Sequence, residues 1–392
     1  MRIGIDARSI LNPEKNPAIG VGHYTYQLVR HLLRIDKENE YVLFFDYRVR
    51  EKDVKKFSQE NVKIKYFPWS DYKKYLPGAY SEILGLATMV GSNLDLFHIT
   101  SPDMRVPVGH RGKVICTFQD LAVYKQPELF PRVYRAKAKY NRQAMAKRAN
   151  QIIAVSENTK NDLSEIFKVL DKKVNVIYNG IDERFFSENN NTKEDIKDFL
   201  KNKFDITEKY ILFIGTIEPI KNITRLLRAF AMLKESLKKR GVKEKYQLVL
   251  GGKRGWLSNS YVQIAEDLGV KKDVKFLGYV DGDDLKSLFA GSEFFVMPSL
   301  YEGFGMTVLE AMASRTPCIV SDLKTLKETS SEAAIFVDPF DVEGFAKKME
   351  ELIGDKEKKE RMINDGFVQS RNFSWNKCAE ETLNVYKKVL NK

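Results

Sequence analysis

The chain has 392 residues, 43% of them hydrophobic, which is enough for two or three self-supporting domains and leaves no compositional sign of disorder. Its three cysteines, Cys116, Cys318 and Cys378, lie far apart, so neither a disulfide framework nor a metal-ligand cluster is expected, and Cys116 and Cys318, inside apolar runs, read as small buried hydrophobes. A net charge of +12 admits nucleic acid, an anionic membrane face or anionic small molecules as partners and does not choose among them.

The N-terminal MRIGIDARSI lacks an apolar stretch of signal-peptide length, and no run approaches the ~20 apolar residues of a membrane span. A cytoplasmic protein is the expectation.

Short β-branched and aromatic runs recur along the chain. The first half predicts strands at 2–7, 41–47, 62–67, 95–100, 113–118, 151–156 and 175–180. The second predicts them at 210–216, 246–252, 274–280, 294–299, 318–322 and 335–339. Amphipathic helical patterns lie between most of them. Apolar strands alternating with helices imply parallel sheets covered on both faces, an α/β architecture. The polar stretch 187–205 interrupts the pattern, which restarts at YILFIG. The expected division is 1–185, 186–372 and a terminal helix at 373–392 led by Trp375. In open α/β sheets ligands bind beyond the carboxyl ends of the strands, so the loops after the strands are where chemistry belongs.

In PSLYEGFGMTVLEAMASRTPCIVSD (298–322) a strand runs into a loop with Glu302, Gly303, Phe304 and Gly305, and a helix starts near Met306. The glycines permit close backbone approach, and the free N–H groups at the helix start suit an anion. Glu310 lies one turn into the helix, where it can accept from ribose hydroxyls. This E-G-F-G turn has its second glutamate eight positions after the first, followed by A-M-A and a proline. It resembles the signature of the retaining glycosyltransferases of family four. The resemblance implies the GT-B fold: two doubly wound Rossmann-like domains facing a central cleft, acceptor on the N-terminal side and nucleotide sugar on the C-terminal side. The terminal helix is expected to cross back to the first domain. Carried over, Glu310 binds the donor ribose, Glu302 lies near the donor sugar and diphosphate, and Gly303, Phe304, Gly305, Met306 and Thr307 form the glycine turn.

Further segments extend the resemblance over nearly the whole chain. In FIGTIEPIKNITRLLRAF (213–230), Lys221 precedes a helix that Asn222 is expected to cap, where a cation can meet a diphosphate. The family usually has arginine at the position of Ile220, and some members have it at that of Thr216. Lys253 or Arg254, after the next strand, could supply the missing charge. Gly20 and Gly22 match the family's glycine loop that reaches the donor phosphates. Gln119 stands where the family commonly has a histidine near the donor sugar; it can hydrogen-bond a hydroxyl but cannot carry a proton. Asp120 beside it reads as a loop organiser. Tyr279 and Val280 match the strand end that flanks the nucleobase. DGDD (281–284) reads as helix capping with first-turn acids, not as a metal motif. The four histidines lack metal-ligand spacing. The candidate catalytic residues are therefore Glu302, Lys221 and Gln119.

The expected reaction is metal-free, cofactor-free transfer of a hexose with retention from a nucleoside diphosphate sugar to a glycan or lipid-linked acceptor hydroxyl. GIDAR, T-x-E-P-x-K-N and G-G-x-x-G-W look most like bacterial mannosyltransferases of surface-polysaccharide synthesis, which implies GDP-mannose. The rivals are a sugar-nucleotide epimerase or glycosyl phosphorylase on the same fold, and a basic nucleic-acid-binding protein. The last explains the charge but not the glycine turn with its two glutamates, so no nucleic-acid partner is expected.

One segment remains. RVYRAKAKYNRQAMAKR (132–148) has seven Lys or Arg residues and no acid. Val133, Ala136, Tyr140, Ala144 and Met145 recur at near-helical spacing and are expected to pack inward. The opposite face, including Arg135, Lys139 and Arg142, would then give weak, salt-sensitive association with an anionic membrane surface, without insertion.

Overall fold

The computed structural model describes residues 1–10, 20–46, 49–67, 86, 88–89, 91–104, 106–107, 109–187, 192–253, 255 and 258–390. It divides into two compact units, one made of 1–180 with 374–392 and the other of 181–373.

In the first unit seven strands form one sheet: β1 (Arg2–Asp6), β2 (Glu40–Asp46), β3 (Val62–Phe67), β4 (Leu96–Ile99), β5 (Lys113–Phe118), β6 (Gln151–Ala154) and β7 (Val174–Val176). Their order is β3-β2-β1-β4-β5-β6-β7, with every pairing parallel. In the second unit β8 (Lys209–Ile214), β9 (Tyr246–Gly251), β10 (Val274–Gly278), β11 (Phe294–Met297), β12 (Cys318–Ser321) and β13 (Ile335–Val337) are ordered β10-β9-β8-β11-β12-β13, again parallel. Each predicted run contains a strand. Most stop short of the predicted carboxyl end, because the last residues turn away as loops. Central strands such as β4, β9, β11 and β12 are buried along their whole length, which explains their continuous apolar character. Both orders reverse beside the first strand of the unit, between β1 and β4 and between β8 and β11. Those are the positions where a doubly wound sheet opens a ligand crevice.

The terminal helix Trp375–Leu390 belongs to the first unit and packs along helix Val21–Ile35. Asn376 Oδ1 lies 2.8 Å from His31 Nδ1. Tyr386 OH lies 2.6 Å from His98 Nδ1, and the other nitrogen of His98 is 2.8 Å from Thr117 Oγ1. Burial presses the His98 pKa down to about 3, so the ring is neutral and serves as an uncharged link between sheet and helix. Gly180 admits the chain crossing here: a Cβ would sit 2.1 Å from Trp375 N. All three cysteines are buried. No described helix is long and apolar enough to cross a membrane.

Helix Arg132–Arg148 corrects the sequence reading. Its buried residues are Ala138, Asn141, Arg142, Met145 and Ala146. Val133 is 84% and Tyr140 66% exposed, and Ala136 and Ala144 also face solvent; of the five residues expected inside, only Met145 is buried. The cause is an ion cluster. Arg142 Nε and Nη2 reach the Asp103 carboxylate at 2.8 and 3.0 Å, and Nη1 reaches Asp120 Oδ1 at 3.1 Å. These acids hold the guanidinium pKa above its usual value despite burial, which alone would lower it. Arg142 is thus interior, and no part of a solvent-facing basic surface. Arg142→Ala is expected to cost about 3 kcal/mol in urea denaturation, the low end for a broken buried pair because Asp103 and Asp120 are partly hydrated. Arg142→Lys should recover only part of it, since a lysine cannot fork between two carboxylates.

Candidate functional site

The second unit gathers its candidates at the carboxyl ends of β8, β9, β10 and β11. After β8, Gly215 N donates to Gly251 O at 2.9 Å. The loop then lies against the one after β9: Ile217 N donates to Lys253 O at 2.9 Å and Gly255 N to Ile217 O at 3.0 Å. Gly252, at φ +146°, fits only as glycine, because a Cβ would fall 1.8 Å from Gly215 O. Thr216, half-buried, sits in this double loop.

Pro219–Lys221 forms a single 3₁₀ turn with Ile220 buried beneath it. Where the family usually carries arginine, this chain has an interior apolar anchor whose carbonyl accepts from Leu300 N at 2.8 Å. Asn222 follows in the left-handed conformation, φ 59°, and its side chain does not cap helix Ile223–Lys239. Its Nδ2 instead donates to Pro298 O at 2.9 Å and Pro339 O at 2.7 Å, tying the loops after β8, β11 and β13 together. Lys221 is thereby held on a braced turn. Its Nζ donates to Glu302 Oε1 at 2.6 Å, with the two side chains 20% and 12% exposed.

Glu302 starts the turn into helix Met306–Ala313. Its carbonyl accepts from Thr325 Oγ1 at 3.0 Å. Gly305 has φ 87°, and a Cβ there would meet Leu326 Cδ2 at 2.6 Å. No side chain caps this helix. Gly303 is buried, and Phe304 packs edge-to-face on Phe373, so these two can serve a ligand only through backbone groups. Met306 and Thr307 are half-buried at the helix start.

Glu310 is half-buried one turn further on. Burial first, and the Asp182 carboxylate second, push its pKa up to about 8, against the pull of Arg184. Arg184 donates to Asp182 Oδ2 at 2.8 Å and to Asp283 Oδ1 at 3.3 Å. Burial first, and the Asp281 carboxylate second, raise the Tyr279 pKa against the pull of Arg184. Asp182 and Arg184 went unnoticed as site residues in the sequence. The only signal was the NGIDERF run (179–185) at the domain boundary. Asp281 caps helix Gly282–Gly291 by accepting from Gly282 N at 2.6 Å, with Asp283 and Asp284 in the first turn, as the capping reading requires.

Tyr279, 40% exposed, carries Lys253 Nζ 5.1 Å from its ring centroid. Val280 lies over Gly251, where a Cβ would touch its Cγ2 at 3.2 Å. Arg254 lies outside the described residues.

The remaining candidates belong to the first unit. Gly20, at φ 56°, opens helix Val21–Ile35; Gly22 is buried inside its first turn instead of preceding it. Gln119 follows β5, and its Nε2 is buried with no hydrogen-bond partner among the described residues. Asp120 is a loop organiser: its Oδ1 accepts from Ala122 N at 2.9 Å as well as from Arg142.

Lys221, Glu302 and Glu310 are thus brought into one unit, the first two on the turns after β8 and β11 that flank the reversal and the third on the helix that follows. A braced cation beside a carboxylate, a helix start that no side chain caps and a second carboxylate one turn along that helix can receive a diphosphate and its ribose.

Comparison with known proteins agrees on this architecture. The family described as Glycosyl transferases group 1 matches residues 194–368, and Glycosyltransferase Family 4 matches residues 19–185. O-antigen chain mannosyltransferase B of Escherichia coli is 27% identical over 96% of this chain and 97% of its own. Sucrose-phosphate synthase of Thermosynechococcus elongatus superposes with a TM-score of 0.79 at 18% identity, over 100% of this chain and 99% of that one. Anabaena HepE in complex with UDP and glucose gives 0.75 at 16%, over 99% and 100%. With the two parallel sheets, these likenesses make the fold GT-B.

Proposed function

Since the chain belongs to the group 1, family 4 glycosyltransferases, we propose that it transfers a mannosyl group, with retention, from GDP-mannose to a hydroxyl of a glycan or lipid-linked acceptor. The observation that carries the donor site is the braced Lys221–Glu302 pair, with Glu310 one turn along the adjoining helix. Lys221 and the helix N–H groups stabilise the departing diphosphate, so that neither metal nor other cofactor is required. Glu310 accepts from the ribose, and Tyr279 and Val280 flank the base. The family resemblance alone assigns Gly20 and Gly22 to the phosphates and Gln119 to a hydroxyl of the transferred sugar. The departing phosphate takes the acceptor proton, and no covalent nucleophile is assigned. The first unit receives the acceptor, held at the cytoplasmic face of the membrane by its lipid.

Likeness to an O-antigen chain mannosyltransferase supports mannose, and GDP is the nucleotide we pair with it. A UDP sugar is the second reading, favoured by the UDP and glucose bound to the HepE neighbour. Calorimetric titration with GDP and with UDP separates them. Tighter binding of GDP is expected; tighter binding of UDP overturns the guanine assignment and keeps the glycosyltransferase.

A further inference from the structure

The segment that opens the second unit packs against helix Gly282–Gly291. Phe185, buried, meets Phe289 of that helix edge-on, 6.2 Å between ring centroids. Lys286 Nζ donates to Ser187 O at 2.7 Å. At the start of the helix the contact is Arg184. Its Nη2 donates to Asp182 Oδ2 at 2.8 Å and its Nη1 to Asp283 Oδ1 at 3.3 Å. The guanidinium also lies against Gly282: a Cβ there would run into it, 3.2 Å from Arg184 Cζ.

A cation is out of place at a helix N-terminus, where the peptide dipoles already present positive charge. Asp182 compensates. Its carboxylate, 10% exposed, bonds the guanidinium and raises the Arg184 pKa against the opposing effect of burial. The tie to Asp283 contributes little to stability, because that carboxylate is 96% exposed and well hydrated. Its consequence is positional. The turn that carries Tyr279 and Val280 runs directly into this helix, and the charge of Arg184 reaches both Tyr279 and Glu310. One side chain thus stands among the groups assigned above to the base and to the ribose.

We propose that Arg184 is a positioning residue for the nucleoside half of the donor, clamping the start of helix Gly282–Gly291 to Asp182 so that the Tyr279–Val280 turn is fixed relative to Glu310. The inference rests on the donor-site reading and deepens it. Lys221 serves the diphosphate; Arg184, without touching the ligand, keeps the base and ribose sites one nucleoside apart.

The test is calorimetric titration of the full chain with GDP and with UDP. R184A should bind both nucleotides about tenfold more weakly, as the loss of hydrogen bonds to charged groups predicts, with its urea unfolding midpoint unchanged. R184K keeps the charge and loses the fork, so its affinity should fall between the two. Should R184A lower the midpoint, R184K carries the same comparison. Double variants locate the effect. R184A with Y279A should lose less than the product of the single losses, because both act through one turn, whereas R184A with K221A should multiply them. An R184A affinity within about twofold of wild type, a lysine as good as the arginine, or losses that multiply with Y279A overturns the proposal. A wild type that binds neither nucleotide defeats the donor reading itself; one that binds them as R184A does defeats this inference alone.

Discussion

Lys221→Ala is expected to lower kcat/KM by about 10²–10³, or roughly 2.7–4 kcal/mol, the cost of removing one charged donor from the site of a developing anion. The position is hard to replace because its neighbourhood is fixed. Ile220 is buried under the turn, so the residue before the lysine offers no second cation, and Thr216 is neutral. Asn222 bonds three loops around it, so no other side chain moves easily into the gap. The substitution also strips Glu302, 12% exposed, of its partner at 2.6 Å, leaving a poorly hydrated carboxylate where a diphosphate has to enter. The two changes should therefore be non-additive: Lys221→Ala with Glu302→Ala should lose less than the sum of the single losses. Initial-rate kinetics on the four proteins give the coupling. Activity of Lys221→Ala within a few-fold of wild type would move the diphosphate cation to the loop after β9, where Lys253 stands near Tyr279.

The sheets were legible because every strand is a short apolar run between polar turns, and the E-G-F-G turn because glycines at a strand-to-helix corner leave a mark in one short segment. Asn222 was legible as a position and not as a contact. Its asparagine suits a helix start, yet its amide serves carbonyls 76 and 117 residues away. The basic helix failed for the same reason. Periodicity sorts residues by polarity along one element. It cannot foresee that Asp103, 39 residues earlier, draws Arg142 inside and rolls the valine and tyrosines outward. Arg184 and Asp182 escaped notice because their importance lies in the field they exert on Glu310, which only the folded unit brings near them.

That field makes donor binding depend on pH. With its pKa pushed up to about 8, the Glu310 carboxyl is mostly protonated at neutral pH in the ligand-free protein. A ribose offers two hydroxyl donors, and an ionised carboxylate, acceptor-only, receives both. Nucleotide binding should then expel the proton, so affinity for GDP rises with pH by up to about tenfold per unit below the free-state pKa and levels off above it. Stability runs the other way. The folded pKa lies above the unfolded value of 4.5, so between about 4.5 and about 8 the folded chain binds the extra proton. The stabilisation from this group is complete below that window and lost as pH rises through about 8. Glu310→Gln carries no titrating proton and should flatten both trends while weakening binding at pH 8. Titration calorimetry in buffers of differing ionisation heat measures the proton release directly, and the glutamine variant subtracts the titration of the nucleotide's own phosphate. A wild-type slope equal to that of Glu310→Gln, with no proton released near neutrality, would remove Glu310 from the ribose.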